Sequence, residues 1–175
     1  GTFLDGQGRE IAVISDGMGT GARAAVDGAM AAGVLETLVK AGVGFRCAMQ
    51  IVNSTLLCKS EEETLATLDI AIIDLFSGHV EWIKAGAPPG FVCRGNRARE
   101  IEASSLPLGI LPQVQSARQS CDLSLGDVLM LVSDGATVAG TGWICELLEK
   151  ERQKSAQQLA EAVLQQAITR RQDGH

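Results

Sequence analysis

Two tripeptides in this chain share residue type and setting: Ser15-Asp16-Gly17 and Ser133-Asp134-Gly135. Each closes a short apolar run, residues 10–16 (EIAVISD) in one case and 127–133 (DVLMLVS) in the other. Each aspartate is therefore expected where a buried strand meets a turn, the place at which a rigid scaffold hands a side chain to a cleft. Two carboxylates delivered from two strand ends can share hard cations such as Mg²⁺ or Mn²⁺, which take oxygen ligands. A glycine after the aspartate lets the backbone turn sharply and brings a carbonyl oxygen within reach as a further ligand. Plain turn chemistry also explains an Asp-Gly pair. The repeated Ser-Asp-Gly context weakens that reading without removing it.

The loop that follows Asp16 carries a second candidate chemistry. Gly17, Gly19 and Ala22 satisfy the G-x-G-x-x-G/A spacing of a dinucleotide-binding turn, so a dinucleotide-binding domain is a remote alternative. That fold needs a second, parallel strand with an acidic residue about 20 positions on, and here that stretch reads as helix around Glu36. An aspartate directly ahead of the first glycine would also face the pyrophosphate. Nucleophilic and acid–base sites fare worse, because His79 falls at a hairpin and His175 is the last residue. No G-x-S-x-G elbow and no P-loop lysine motif occurs. Asp69 and Asp74, an odd number of positions apart on one strand, point to opposite faces and form no dyad. Asp69 either lines the cleft or accepts backbone hydrogen bonds at a strand start, and the second is expected.

The elements that must position these residues read as follows. Residues 21–41 place Val26, Met30, Val34 and Leu38 at four-residue spacing, with Arg23 and Asp27 as an i,i+4 charge pair, which predicts a helix. A second helix is predicted over 45–59, after the Gly42/Gly44 break. From Leu65 the pattern turns to strands at 67–75, 80–84, 91–94, 99–102, 114–123 and 127–133. Their connections of two to five residues, at Ser77-Gly78, 86–90 (GAPPG), Gly95-Asn96 and Gly126-Asp127, predict antiparallel hairpins. Two helices, near 143–152 and 155–171, close the chain. Strands 67–75 and 127–133 are apolar almost throughout, so both faces of each should be covered. The simplest arrangement is α+β, an αββα sandwich of two mainly antiparallel sheets flanked by helices.

Composition narrows the function classes. At 175 residues the chain is read as one domain, 1–175, long enough to bury a core without staples. It holds no internal repeat and no low-complexity tract. The net charge of −6 and a pI near 4.9, with Lys and Arg scattered, argue against nucleic acid. Cys47, Cys58, Cys93, Cys121 and Cys145 form no CxxC pair and read as small hydrophobes of a core. No apolar run reaches the ~18 residues of a membrane span.

Residues 15–24 (SDGMGTGARA), 60–75 (SEEETLATLDIAIIDL), 84–95 (KAGAPPGFVCRG), 104–111 (SSLPLGIL) and 126–135 (GDVLMLVSDG) resemble, in order and spacing, the phosphatase domain of the stage II sporulation protein E family. That family is a bacterial branch of the metal-dependent, type 2C-like serine/threonine protein phosphatases, and the likeness covers nearly the whole chain. The resemblance implies a centre of two Mn²⁺ or Mg²⁺ ions at one end of the sheets. Asp16 would bridge both ions, Gly17 would give its carbonyl oxygen to one, and Asp134 would bind the other, so Asp16 and Asp134 are expected to converge. Water activated there would attack a phosphoserine, typically on a phosphorylated anti-anti-sigma factor. The parent would be membrane-anchored, this domain cytoplasmic, and a homodimer is left open. Two family marks are missing: a Gly-Asp before the first strand, where Asp5-Gly6 reads as a hairpin turn, and an Asp-Asp-x-Thr motif at the C-terminal end. A catalytically inactive regulatory module of the same fold is the alternative those gaps support. They also imply weak Mn²⁺ binding by residues 1–175 alone.

Overall fold

The structure, a computed structural model, describes residues 1–19, 21–59 and 64–173, with the backbone alone at 173. Readings that fall on Thr20, on 60–63 and on His175 lie outside the described residues. In chain order the elements are β1 (Thr2–Leu4), β2 (Arg9–Gly17), α1 (Ala22–Lys40), α2 (Phe45–Cys58), β3 (Ala66–Asp74), β4 (His79–Ala85), β5 (Gly90–Arg94), β6 (Arg97–Ile101), β7 (Ala117–Asp122), β8 (Val128–Met130), a 3₁₀ turn (Asp134–Ala136), α3 (Gly142–Glu151) and α4 (Ala156–Asp173). They fall into two compact units, one of residues 1–87 and 103–122, the other of 88–102 and 123–175.

The first unit is a five-stranded sheet in the order β1-β2-β3-β4-β7, every pairing antiparallel. Alternation puts Ile11 and Val13 of β2, Leu68, Ile70 and Ile72 of β3 and Ile83 of β4 into one core with α1 and α2. The buried residues of α1 are Ala24, Asp27, Gly28, Ala31, Leu35 and Val39, and the last three belong to this core. The expected stripe is thus one residue out of phase: Met30, Val34 and Leu38 flank the core half-buried, and Val26 is 57% exposed. Small residues at 24, 28 and 31 let the helix axis approach the sheet, which a count of large apolar residues does not register. Asp27 likewise takes Lys59, the residue after α2, as its partner, Nζ to Oδ1 at 2.5 Å.

The second unit is a three-stranded antiparallel sheet, β6-β5-β8, on which α3 and α4 close. Its core joins Phe91 and Cys93 to Val132, Trp143, Ile144, Leu148, Leu159 and Val163. Arg170 lies over the Trp143 ring, 5.2 Å from its centroid.

The α+β class with antiparallel sheets and helices is as expected, but two of the predicted hairpins are not hairpins. β4 pairs with β3 and β7, whereas β5 pairs with β6 and β8, so residues 86–89 connect two sheets. Pro88 and Pro89 offer no N–H to a ladder, so neither strand extends through them. The predicted pair 114–123 with 127–133 is also split, since β7 edges the first sheet and β8 the second. β8 is short and only half-buried, against the expectation of a strand covered on both faces; β3 does meet that expectation from Leu68 to Ile72. β1 was not foreseen, although the Asp5-Gly6 turn that joins it to β2 was. Only Cys93 of the five cysteines is buried, and Cys47 and Cys58 are exposed, against the reading of all five as core residues.

Candidate functional site

Asp16 is the penultimate residue of β2, in register with Thr67 at the start of β3. Beyond it the ladder ends with the Met18 N–H donating to the Leu65 carbonyl, 2.9 Å. Gly19 (φ 112°) and Gly21 (φ 88°) then turn the chain into α1 through conformations that side chains disfavour. These glycines make a turn, and the dinucleotide alternative fails because every strand pairing among the described residues is antiparallel.

The helix returns directly over the strand end. A Cβ on Gly17 would stand 1.9 Å from the Ala24 carbonyl oxygen, and one on Gly28 would stand 2.7 Å from the Gly17 nitrogen and 3.1 Å from the Asp16 Cα. Backbone therefore lies on backbone at Asp16–Gly17, and both glycines are required there by contact. From the sheet side, the Thr67 hydroxyl meets both backbone polar groups of Asp16, and Ser15 Oγ donates to the Thr67 carbonyl at 2.8 Å.

Two positions along β3, on the same face as Asp16 and Thr67, Asp69 is buried. Its Oδ1 accepts from Trp82 Nε1 and its Oδ2 from Lys84 Nζ, each at 2.5 Å, both donors coming from β4. The expected role, accepting backbone N–H groups at a strand start, is not observed: Asp69 is mid-strand and anchors a side-chain cluster. Burial pushes the Asp69 carboxyl above the ordinary carboxylate range, with Lys84 and Trp82 pulling it back, and burial pulls the Lys84 ammonium below its ordinary value.

The loops at this end are pinned to the same strands. Ser105 Oγ donates to the Lys84 carbonyl (2.8 Å) and accepts from the Gly86 N–H (3.2 Å). Leu108 and Ala66 exchange backbone hydrogen bonds of 2.9 and 3.2 Å. Buried Asn53 of α2 accepts from the Gly109 N–H (2.8 Å) and donates to the Leu111 carbonyl (2.9 Å). Gly86 and the segment 104–111, sequence marks of the resemblance, thus brace the sheet end that carries Asp16.

In the second unit, β8 stops at Met130, and Asp134 opens the 3₁₀ turn instead of ending the strand. Its carbonyl accepts from the N–H (2.8 Å) and hydroxyl (2.9 Å) of Thr137, so the backbone is held. Asp16 is half-buried and Asp134 exposed, and neither carboxylate has a hydrogen-bond or ion-pair partner among the described residues. Unpaired carboxylate oxygens on fixed backbone are the donor type that hard cations take, so residue chemistry at both positions fits Mg²⁺ or Mn²⁺. Among the described residues, no three His, Cys, Asp or Glu side chains gather into a group able to hold a metal ion. The braces Thr67, Gly28 and Asn53 gave no sequence signal, because each works through a partner distant in the chain.

A family model described as stage II sporulation protein E (SpoIIE) matches residues 6–175. Over 124 residues the chain is 37% identical to the stage II sporulation protein E of Bacillus subtilis (strain 168), a stretch that is 71% of this chain and 15% of that protein. A solved structure of the PP2C phosphatase domain and a fragment of the regulatory domain of SpoIIE from Bacillus subtilis matches with a TM-score of 0.85 at 29% identity, covering 97% of this chain and 52% of that one. The structure of RsbX in complex with magnesium shares the fold alone, at a TM-score of 0.74 and 18% identity, with 97% and 79% covered. The chain spans a small part of the curated relative and about half of the solved SpoIIE chain.

Proposed function

The chain belongs to the stage II sporulation protein E family, and from that membership we propose that it is a metal-dependent serine/threonine phosphatase domain acting on a phosphorylated regulatory protein, such as an anti-anti-sigma factor. The observation that carries this reading is the family match across residues 6–175, a range that contains both Ser-Asp-Gly tripeptides. In it Asp16, the Gly17 carbonyl oxygen and Asp134 would supply the oxygen donors that hold the cations. Bound cations of this kind supply a nucleophile from water at neutral pH and neutralise charge on the phosphoryl oxygens. The chain's own part is to hold these oxygen donors still: Asp16 on a strand end gripped from both sides, Asp134 on a turn closed by Thr137. Mn²⁺ or Mg²⁺ suits carboxylate and carbonyl donors. The magnesium of the RsbX structure supports the metal class, and the related SpoIIE proteins support a role in sporulation.

No helix among the described residues is long and apolar enough to cross a membrane. The second reading is a regulatory module of the same fold without catalysis. A single experiment separates the two. The full-length protein is assayed on p-nitrophenyl phosphate and on a phosphoserine protein with Mn²⁺ added, then chelated. The phosphatase reading expects Mn²⁺-dependent turnover that chelation abolishes and that Asp16→Ala or Asp134→Ala lowers at least a hundredfold with the fold intact. Folded protein without Mn²⁺-dependent turnover leaves the regulatory module standing.

A further inference from the structure

Asp16 sits where a strand would ordinarily fray, one residue from the end of β2. A ligand has to be held within about 0.5 Å of its working position, and its own side-chain rotamer cannot ensure this if the Cα wanders. The Thr67 hydroxyl lies 3.1 Å from the Asp16 nitrogen, whose N–H it accepts, and 3.3 Å from the Asp16 oxygen, to which it donates. The Thr67 main chain is itself fixed by Ser15 Oγ, at 2.8 Å from its carbonyl oxygen. By strand alternation Thr67 reaches Asp16 on the face opposite the helix core, while Ser15 shares the face of Ile11 and Val13, so the grip is two-sided. Leu108 secures the preceding residue, Ala66, through both of its backbone groups.

We infer that Thr67 is a positioning residue for Asp16, its hydroxyl fixing the backbone of the carboxylate that the proposed function assigns to the metals. The inference rests on that assignment of Asp16. Thr67 does not touch the cation; it narrows the range over which the carboxylate can move, and metal affinity should follow that range. Outer-shell groups that orient a ligand typically change metal affinity by about 10- to 100-fold when removed.

The test is Mn²⁺ titration calorimetry on the full-length protein with four variants, Asp16→Ala, Thr67→Val, Thr67→Ser and Ser15→Ala, and amide hydrogen exchange read at Asp16. Thr67→Val keeps the β-branched shape and removes the hydroxyl. It is expected to weaken Mn²⁺ binding about tenfold and to speed exchange at the Asp16 amide, while Thr67→Ser stays within about threefold of the parent. Ser15→Ala is expected to shift in the same direction by less, and it carries the test if Thr67→Val does not fold. Were Thr67→Val only a structural loss, the folded fraction would fall with no change in the Mn²⁺ constant of what remains folded. Unchanged binding in Asp16→Ala overturns the assignment of Asp16 itself. Lost binding in Asp16→Ala with unchanged binding in Thr67→Val, or in Ser15→Ala where Thr67→Val is unfolded, overturns the inference alone. Equal losses in Thr67→Val and Thr67→Ser also overturn it, because the hydroxyl is then not the cause.

Discussion

The Nζ of Lys84 lies 2.5 Å from the Oδ2 of Asp69 with both side chains shut off from solvent, 0% and 1% exposed. An ion pair buried to this degree gains Coulomb energy and loses hydration in similar measure, so its net contribution is small while its rupture is costly. Lys84→Met should therefore destabilise the fold by about 3–5 kcal/mol, because Asp69 is left buried without its counter-ion. Asp69→Asn with Lys84→Met keeps an acceptor for the Trp82 N–H and should recover most of that loss. Urea denaturation of both variants checks this, and a single variant as mild as the double would refute it.

Two glycines of α1 should respond to alanine with opposite signs. At Gly33 nothing lies within 4 Å of a built Cβ, so the helix-propensity gain of about 0.8–1 kcal/mol should appear in full. At Gly28 the same gain meets a Cβ 2.7 Å from the Gly17 nitrogen, and overpacking of about 1–3 kcal/mol should outweigh it. Thermal melts of Gly28→Ala and Gly33→Ala read the two signs directly, and Gly28→Ala should also weaken Mn²⁺ binding by shifting Asp16.

The β1–β2 hairpin should be acid-sensitive through Asp5. Burial would raise its carboxyl, but the Gln7 N–H and the Arg9 guanidinium and N–H outweigh burial and hold it below the ordinary range. A depressed carboxyl stabilises the fold above its unfolded value, about 3.9, and loses that contribution as pH falls through the folded one. Asp5→Asn should thus be less stable than the parent at pH 7, and the gap should close on acidification below about pH 4. Urea midpoints at the two pH values decide it; a gap independent of pH would refute the assignment.

Asn53→Leu should loosen the 108–112 loop. It removes the acceptor of the Gly109 N–H and the donor to the Leu111 carbonyl, two part-buried hydrogen bonds that contribute about 0.5–1.5 kcal/mol each. The expected result is faster proteolytic cleavage and amide exchange in this loop, with the α1–β2 region unchanged.

The sequence by itself determined the local features: Asp16 at a strand end, the glycine turn into α1, the strands and helices with their approximate bounds, and the family resemblance carried by short motifs. Such features depend on side-chain alternation, backbone freedom and missing donors, which act within a few residues. Partner choice between distant residues was decided only by the tertiary structure. The glycine turns were legible, yet whether a turn ends in a neighbouring strand or in another sheet depends on where β4 and β8 find edges, so two hairpins were misread. Asp69 was legible as an aspartate on a strand, but its role was set by Lys84 and Trp82 standing opposite it in register. The buried stripe of α1 fell on small residues because close approach to Asp16–Gly17 rewards absent side chains, and hydrophobic periodicity counts only those present. Thr67 is the same case for the site: a common strand residue whose meaning comes from the register that sets it beside Asp16.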